Sequence, residues 1–280
     1  MVRATSKRRG ASQIPVPDPH YLSPKSYLPP QRRQAILDLV VQRGQVDVAD
    51  LSELLGVSRV TIRKDLDHLA GQNLITRSRG GAGSALNQSI EASFYVRALQ
   101  NREQKSRIAR AALSLLVPGE TIILDAGTTV VELSNRISNA AELTIVTPAL
   151  NIATQLGSLP GVELYILGGR LDPDTISNVG PIAEMQLQDV RAHKVFLGVH
   201  VIDPQGDLAD PIREHACLKR AMVRAARQVI LLADSSKWGV RSAKAKVVAL
   251  SACQTVITDT GLDDRHRRAM EAEGIEVIVT

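Results

Sequence analysis

The sequence predicts an α/β protein, with an N-terminal winged helix-turn-helix domain followed by a Rossmann-like α/β domain on a largely parallel sheet. Three observations lead there. A short helical segment is followed at once by a second, Ser58 to Leu69, apolar on one side and cationic on the other. Behind them, short apolar runs alternate with helical patterns to the C-terminus. The charge divides with the pattern: residues 1–90 hold 13 Lys and Arg against 7 Asp and Glu, and the remainder holds 21 against 22. A basic front on a near-neutral remainder is the electrostatic footprint of a nucleic-acid module joined to something else. At 280 residues the chain exceeds the roughly 100–200 of one domain, so two are expected.

Residues 1–30 carry Arg3, Lys7, Arg8 and Arg9, then a Pro- and Ser-rich run without apolar period, and read as a disordered tail. The first domain is expected over residues 31–82. From Gln31, the residues Ile36, Leu39 and Val40 recur at helical spacing until Gly44. Val46-Asp47-Val48 leads into a second helix, with Asp47 as candidate cap, Leu51, Leu54 and Leu55 as its apolar face and Gly56 as terminator. Val57 and Ser58 then turn into the next helix, where Ser58 can accept from a free first-turn N–H and Ile62, Leu66 and Leu69 face inward. The opposite side carries Val60, Arg63, Lys64 and Asp67, flanked by Arg59 and Thr61. Two adjacent cations and a hydroxyl on such a face suit phosphates and base edges in a major groove, although an ordinary helix with a solvated basic face has the same pattern. Asn73 can end that helix, and Leu74 to Arg77 followed by Arg79-Gly80-Gly81 reads as a hairpin wing. Ser58, Arg59, Thr61, Arg63, Lys64, Arg77 and Arg79 are the candidate DNA contacts.

In this stretch the chain resembles the DeoR family of bacterial transcriptional regulators. The match runs through Arg33, Ile36, Gly44, Val46, Leu51, Leu55, Val57-Ser58, Thr61-Ile62-Arg63-Lys64-Asp65-Leu66, Leu69, Leu74, Arg77 and Gly80-Gly81-Ala82. Asn73 stands where the family usually has glycine, and Arg79 where it usually has histidine.

Residues 83–93 are small and polar and read as a linker; the second domain is expected over 94–280. It opens with a helix from Gln104 to Leu116. Strands are expected at Thr121 to Leu124, Leu143 to Thr147, Val162 to Leu167, Lys194 to Val199, Val229 to Ala233, Val256 to Thr258 and Val277 to Val279. Helices over Ala149 to Leu159, Glu214 to Ala226 and Asp264 to Glu273 lie between them. Such sheets are covered on both faces and bind ligands beyond the carboxyl ends of their strands.

Asp125 to Thr129 is the leading candidate there. A glycine at a strand-to-helix turn lets backbone approach a ligand, and Thr128 and Thr129 add hydroxyls beside free N–H groups, a combination that favours an anion; a plain threonine-capped turn is the alternative. Gly168, Gly169 and Lys237 follow other strands at the same predicted edge, Lys237 as a mobile cation for a phosphate or sugar oxygen. Glu214 and Lys219 lie five apart on one helix, so each needs its own partner, and Lys219 is expected at the solvent surface when nothing binds.

The resemblance extends over nearly all of Gln31 to Thr280. It implies a sugar-phosphate sensor with the fold of ribose-phosphate and glucosamine-phosphate isomerases. Carried over onto matching positions, it makes Gly127 to Thr129 a phosphate loop and Lys237, with Glu214, a lining of the ligand site. Asp125, Thr147, Gly168, Gly169 and Lys219 match the family as well and complete the candidate effector set. Three departures stand at the expected pocket: Val130 replaces a threonine, Pro148 an asparagine and His215 an acidic residue. Proline offers no side-chain hydrogen bond, so sugar-hydroxyl recognition there must differ.

The resemblance implies a DNA-binding regulator, most often a repressor of carbohydrate metabolism, that takes a double-stranded operator and a phosphorylated sugar or related metabolite as partners. A homo-oligomer, dimer or tetramer, is expected. A sugar-phosphate isomerase with an added domain and a regulator without a small-molecule effector are the alternatives. No catalytic residue, metal or cofactor is expected: the six histidines show no zinc spacing, and Cys217 and Cys253 show no metal or redox spacing. Aromatic content of 2% argues against a stacking platform for single strands. No run reaches the roughly 18 apolar residues of a membrane span, and a cytoplasmic location is expected.

Overall fold

Apolar spacing sets where helices form at the front of the chain, and glycines set where they stop. In the computed structural model, which describes residues 29–71, 75–84, 94–138, 142–240 and 245–280, α1 (Pro29–Arg43) ends at Gly44, whose φ is 73°. β1 (Gln45–Asp47) leads into α2 (Val48–Leu55), which Gly56 closes in the left-handed conformation. Asp47 occupies the N-cap position without a side-chain cap bond. Three residues later comes α3 (Arg59–Gly71), then β2 (Ile75–Ser78) and β3 (Gly81–Ser84) around a tight turn. The three strands pair antiparallel in the order β1-β3-β2. Ile36, Val40, Leu51, Leu55, Ile62, Leu66, Leu69 and Ile75 close one core beneath them. The expected tail lies outside the described residues except for its last two positions. Asn73, Leu74 and all of the linker beyond Ser84 also lie outside them.

α4 (Phe94–Leu99) and α5 (Arg102–Leu113) open the second domain. There follow β4 (Thr121–Leu124), α6 (Thr128–Ser134), β5 (Leu143–Thr147), α7 (Leu150–Leu156) and β6 (Val162–Ile166). A hairpin of β7 (Arg170–Asp172) and β8 (Ser177–Val179) precedes α8 (Pro181–Gln186) and β9 (Ala192–Gly198). Then come β10 (Val201–Ile202), β11 (Asp207–Asp210), α9 (Arg213–Ala225) and β12 (Ala226–Leu232). β13 (Ala245–Ala249), β14 (Thr255–Thr258), α10 (Asp264–Ala272) and β15 (Glu276–Val279) complete the chain.

Seven strands form one sheet in the order β15-β14-β12-β9-β4-β5-β6, and every pairing in it is parallel. Side chains of a strand alternate between faces. Ile122, Leu124, Phe196, Ile230 and Leu232 therefore pack with the helices α5, α6 and α7, whereas Ile123, Val195, Leu197 and Leu231 pack with α8 and α9. Each such fully buried side chain contributes roughly 1.5–3 kcal/mol.

All seven expected strands of this sheet and its main helices are present. Four features were not expected: α4, the β7–β8 hairpin, α8, and a small antiparallel sheet ordered β10-β11-β13. Their runs of two to six residues are too short to show a period.

The chain passes from β4 outward through β5 to β6, then returns to place β9 on the other side of β4. The strand order thus reverses between β4 and β9, the crevice position at which open α/β sheets bind ligands.

Candidate functional site

The first of two candidate surfaces is α3. Ser58 Oγ accepts from Thr61 N at 3.2 Å and lies 2.9 Å from Thr61 Oγ1, so Ser58 caps the first turn of α3 as expected. Arg59, Val60, Arg63 and Lys64 are exposed. Val60 is 58% exposed, which puts an apolar branch among the three cations.

The inward side of α3 is held by charge as well as by packing. Asp65 is 2% exposed and accepts from Arg32 Nε at 2.5 Å and from Arg33 Nε at 2.9 Å. The wing differs from expectation in one respect. Arg77 does not extend freely: its Nε pairs with Asp67 Oδ1 of α3 at 3.0 Å and its Nη1 donates to Gly81 O at 2.8 Å. Arg79 stands exposed at the turn between β2 and β3. Gly81 is fitted against β1 so closely that a Cβ there would meet Val46 O at 2.1 Å.

The second candidate surface is the crevice beyond β4 and β9. Asp125, the residue after β4, is buried, and its Oδ2 accepts from Gly198 N at the end of β9 at 3.0 Å. Lys219, from α9, donates to the same Oδ2 and also to Gly198 O, at 3.0 Å. Lys219 is thus not at the solvent surface as expected: it is 8% exposed, because a charge buried here is held by its opposite. Gly127 and Gly198 meet back to back, with a Cβ on Gly127 falling 3.2 Å from Gly198 Cα. A larger residue at either position would fill the crevice floor.

A pocket above this floor is lined by Asp125, Gly127, Pro148 and Lys219, by Arg97 of α4, by Asp174 and Ser177 of the β7–β8 hairpin, and by His200, Asp210 and His215. Of the expected effector residues, Asp125, Gly127 and Lys219 line it. The others stand elsewhere. Thr128 begins α6, with Thr129 buried beside it. Thr147 is buried and spends its hydroxyl on Leu124 O at 2.8 Å, and Ala149 N donates to it at 3.1 Å. Gly168 N donates to Gln186 Oε1, Gly169 lies against Val179 with a φ of 138°, and Glu214 pairs with Arg170 outside the pocket. Lys237, in a short 3-10 turn after β12, lies near Arg97 and His200; burial lowers its pKa, opposed by Asp234. Among the departures, Pro148 and His215 line the pocket, but Val130 is fully buried in the core and does not.

Sequence reasoning missed a charged cluster in the far wall. His215 Nε2 stands 2.7 Å from Asp172 Oδ2, without the alignment of a hydrogen bond, and its Nδ1 lies 3.5 Å from Asp210 Oδ1. Burial works to lower the His215 pKa, but Asp210 and Asp172 outweigh it and raise it. Asp210, despite its own burial, is lowered by His215 and Lys219. The neighbouring His200 goes the other way: burial pushes it down to about 4, against Asp210 and with the help of Arg97, Lys237 and Lys219. Only the replacement at His215 itself was visible in the sequence.

Arg97 is a pocket residue that was not among the expected effector residues. Its Nη2 donates to Asp174 O at 2.6 Å, which ties α4 to the hairpin wall. Lys105 of α5 caps α4, donating to Arg97 O and, at 2.5 Å, to Gln100 O; burial lowers its pKa to about 8. Asn101, at a φ of 51°, donates to Asp234 Oδ1 at 2.8 Å.

The family models decide what these surfaces belong to. Residues 32–88 match the DeoR-like helix-turn-helix domain, and residues 100–260 match the DeoR C terminal sensor domain. The chain belongs to the DeoR family. Among relatives of this DeoR-family regulator, the putative aga operon transcriptional repressor of Escherichia coli O157:H7 is 35% identical, over 89% of this chain and 93% of its own length. The glycerol-3-phosphate regulon repressor of Escherichia coli K12 is 34% identical, over 82% and 90%. Among solved structures, ribose 5-phosphate isomerase A of Methanocaldococcus jannaschii aligns at 18% identity and a TM-score of 0.36, covering 50% of this chain and 55% of that one. As a DeoR-family transcriptional regulator, the protein joins a DNA-binding helix-turn-helix to a sensor module. No helix among the described residues is long and apolar enough to cross a membrane.

Proposed function

We propose that the protein is a cytoplasmic repressor of a carbohydrate operon whose grip on its operator is set by a phosphorylated sugar or related anionic metabolite. One observation carries the reading: the pocket lies where strand order reverses, on a glycine-lined floor, with Arg97 and Lys219 in its lining. The N-terminal turn of α6 offers backbone N–H groups beside Thr128, and these with the cations suit a phosphate. Two relatives, a putative repressor of the aga operon and the repressor of the glycerol-3-phosphate regulon, point to the same class of control.

The helix α4 supplies the coupling. Arg97 lines the pocket, and two residues on Leu99 packs against the core of the helix-turn-helix domain. A ligand that draws on Arg97 therefore biases the seat of the reader, and it controls DNA only through its differential affinity for the two arrangements. On the DNA side, Arg63 and Lys64 read base edges or phosphates, Arg59 and Arg79 hold the backbone, and two readers per oligomer address half-sites about 10 base pairs apart or a multiple of that.

A sensor fits better than an active site because the pocket's two buried carboxylates are engaged, Asp125 by Lys219 and Gly198 and Asp210 by Ile212 N and His215. The same pairing favours a second reading, a regulator without a small-molecule effector, since Lys219 and His215 already have counter-charges. A thermal-shift screen with phosphorylated sugars separates the two. A ligand at a hundred times its dissociation constant stabilises by about 2.7 kcal/mol. A response that also weakens operator binding supports metabolite control, and no shift across the panel supports the second reading.

A further inference from the structure

Of the side chains that α3 exposes, one is apolar: Val60, the second residue of the helix. Its direction is fixed from behind. Ile62, Leu66 and Leu69 are buried on the inner face, and Asp65 beside them is tied to Arg32 and Arg33. The helix therefore cannot roll Val60 into the core, and the side chain stays outward at 58% exposure with Arg59, Arg63 and Lys64 exposed around it. A lone exposed aliphatic residue is ordinary on a protein surface. Its neighbours set this one apart.

The two hydroxyls of the same turn are turned on each other, since Ser58 Oγ accepts from Thr61 N and lies 2.9 Å from Thr61 Oγ1. Two turns beyond Val60 on the same face stands Asp67, paired with Arg77 of the wing at 3.0 Å. A carboxylate there is repelled by phosphates, so the N-terminal turn is the end of α3 suited to lie deepest in a groove. First-turn residues of helix-turn-helix readers meet base edges in that way. Val60 then sits among the side chains closest to the bases.

We propose that Val60 is a specificity-determining residue of the DNA reader, packing its two methyl groups against the C5-methyl of a thymine. The inference rests on the reading that α3 enters the major groove. That methyl is the apolar group which a base pair presents there, and it marks T·A among the four pairs. Valine can offer no hydrogen bond, so against an amino or carbonyl edge it would displace water without replacing it. The contact thus favours thymine and disfavours the other bases at one position. Arg63 follows Val60 by three residues, about 4.5 Å along the helix axis, and successive base pairs are about 3.4 Å apart. The thymine accordingly lies one or two steps from the base pair whose preference depends on Arg63.

Replacing thymine by uracil removes the methyl and keeps every hydrogen-bonding group of the pair. A site is selected from a pool of random duplexes with the full chain, and each of its thymines is then replaced by uracil in turn. One such replacement should weaken binding by the parent about fourfold, the worth of one buried methyl. In V60A the ratio of thymine to uracil affinity should shrink towards one, because the branches that meet the methyl are gone, whereas V60I keeps both branches and should preserve it. Each ratio is taken within one protein, so a general loss of affinity cancels. Selection with V60A should also lose the preference at that position and keep the rest of the site. A parent indifferent to uracil at every thymine, or a ratio that V60A leaves intact, would overturn the contact while the major-groove reading stands. A pool from which the parent enriches nothing would remove that reading, and this inference with it.

Discussion

Asp65 of the reading helix and Arg32 of the first helix are paired at 2.5 Å in a site where Asp65 is 2% and Arg32 8% exposed. With Arg33 on the other carboxylate oxygen at 2.9 Å, this pair fixes the azimuth of α3, whose exposed side carries Arg63 and Lys64. Removing the carboxylate breaks a buried ion pair and the Arg33 contact with it, at a cost of about 3–5 kcal/mol. The Asp65→Ala protein should therefore lose the first domain's cooperative unfolding in urea and bind no operator. An unfolding curve that overlays the parent would show that the pair carries no weight.

On the exposed side, Arg63→Ala should weaken operator binding by about 1–3 kcal/mol and relax the preference at one base pair, if the guanidinium reads a base edge. Arg79→Ala should weaken all sequences alike and lower the salt slope by roughly one, as loss of a phosphate contact does. Titrations at two salt concentrations with operator and random duplex distinguish the two behaviours. Exchange of the two patterns would reverse the assignment.

At the crevice floor, a Cβ on Gly198 would stand 3.1 Å from Gly127 Cα and 3.3 Å from Asp125 Oδ2. The neighbours are backbone and a held carboxylate, so the strands must part. Gly198→Ala should cost about 1–3 kcal/mol in stability and abolish the metabolite response, with operator affinity retained because the reader lies in a separate core. Denaturant unfolding and a ligand titration check this together.

His200 and His215 make opposite contributions to acid stability. Burial, abetted by Arg97, Lys237 and Lys219 and opposed by Asp210, holds His200 at about 4, below its unfolded value of 6.5. Its contribution is complete above pH 6.5 and is lost as pH falls from there towards 4. His215, raised by Asp210 and Asp172, contributes below pH 6.5 and loses its contribution as pH climbs through its folded pKa. Replacing His200 with Asn should therefore flatten the loss between pH 6.5 and 4 by about 1–3 kcal/mol, allowing for its partial exposure. Denaturant midpoints at pH 7 and 5 measure it, and equal slopes for parent and variant would count against a buried neutral imidazole.

What the sequence made legible follows from range. Ser58 and Thr61 are three residues apart on one helix, and the strand runs of the parallel sheet are continuous enough to read singly. Asp125 and Lys219 were both picked out, but their meeting was not, because 94 residues separate them and only the return of β9 beside β4 brings them together. The cluster of Asp172, Asp210 and His215 stayed hidden for another reason. Each aspartate ends a strand of three or four residues in an antiparallel piece too brief to leave a period. Arg77 was expected to reach outward because its tie to Asp67 depends on how the hairpin leans, which local pattern does not encode.

The contact between Asp125 and Gly198 spans 73 residues, across the point where the chain turns back through its own sheet. Contacts so distant in sequence form late, since loop closure must come first. On the ribosome, a nascent chain that has emerged only as far as β6 already has its basic reader but none of the far wall of the crevice. Under the control proposed above, effector responsiveness would thus be acquired after the capacity to touch DNA, and a truncated product would be a ligand-blind binder.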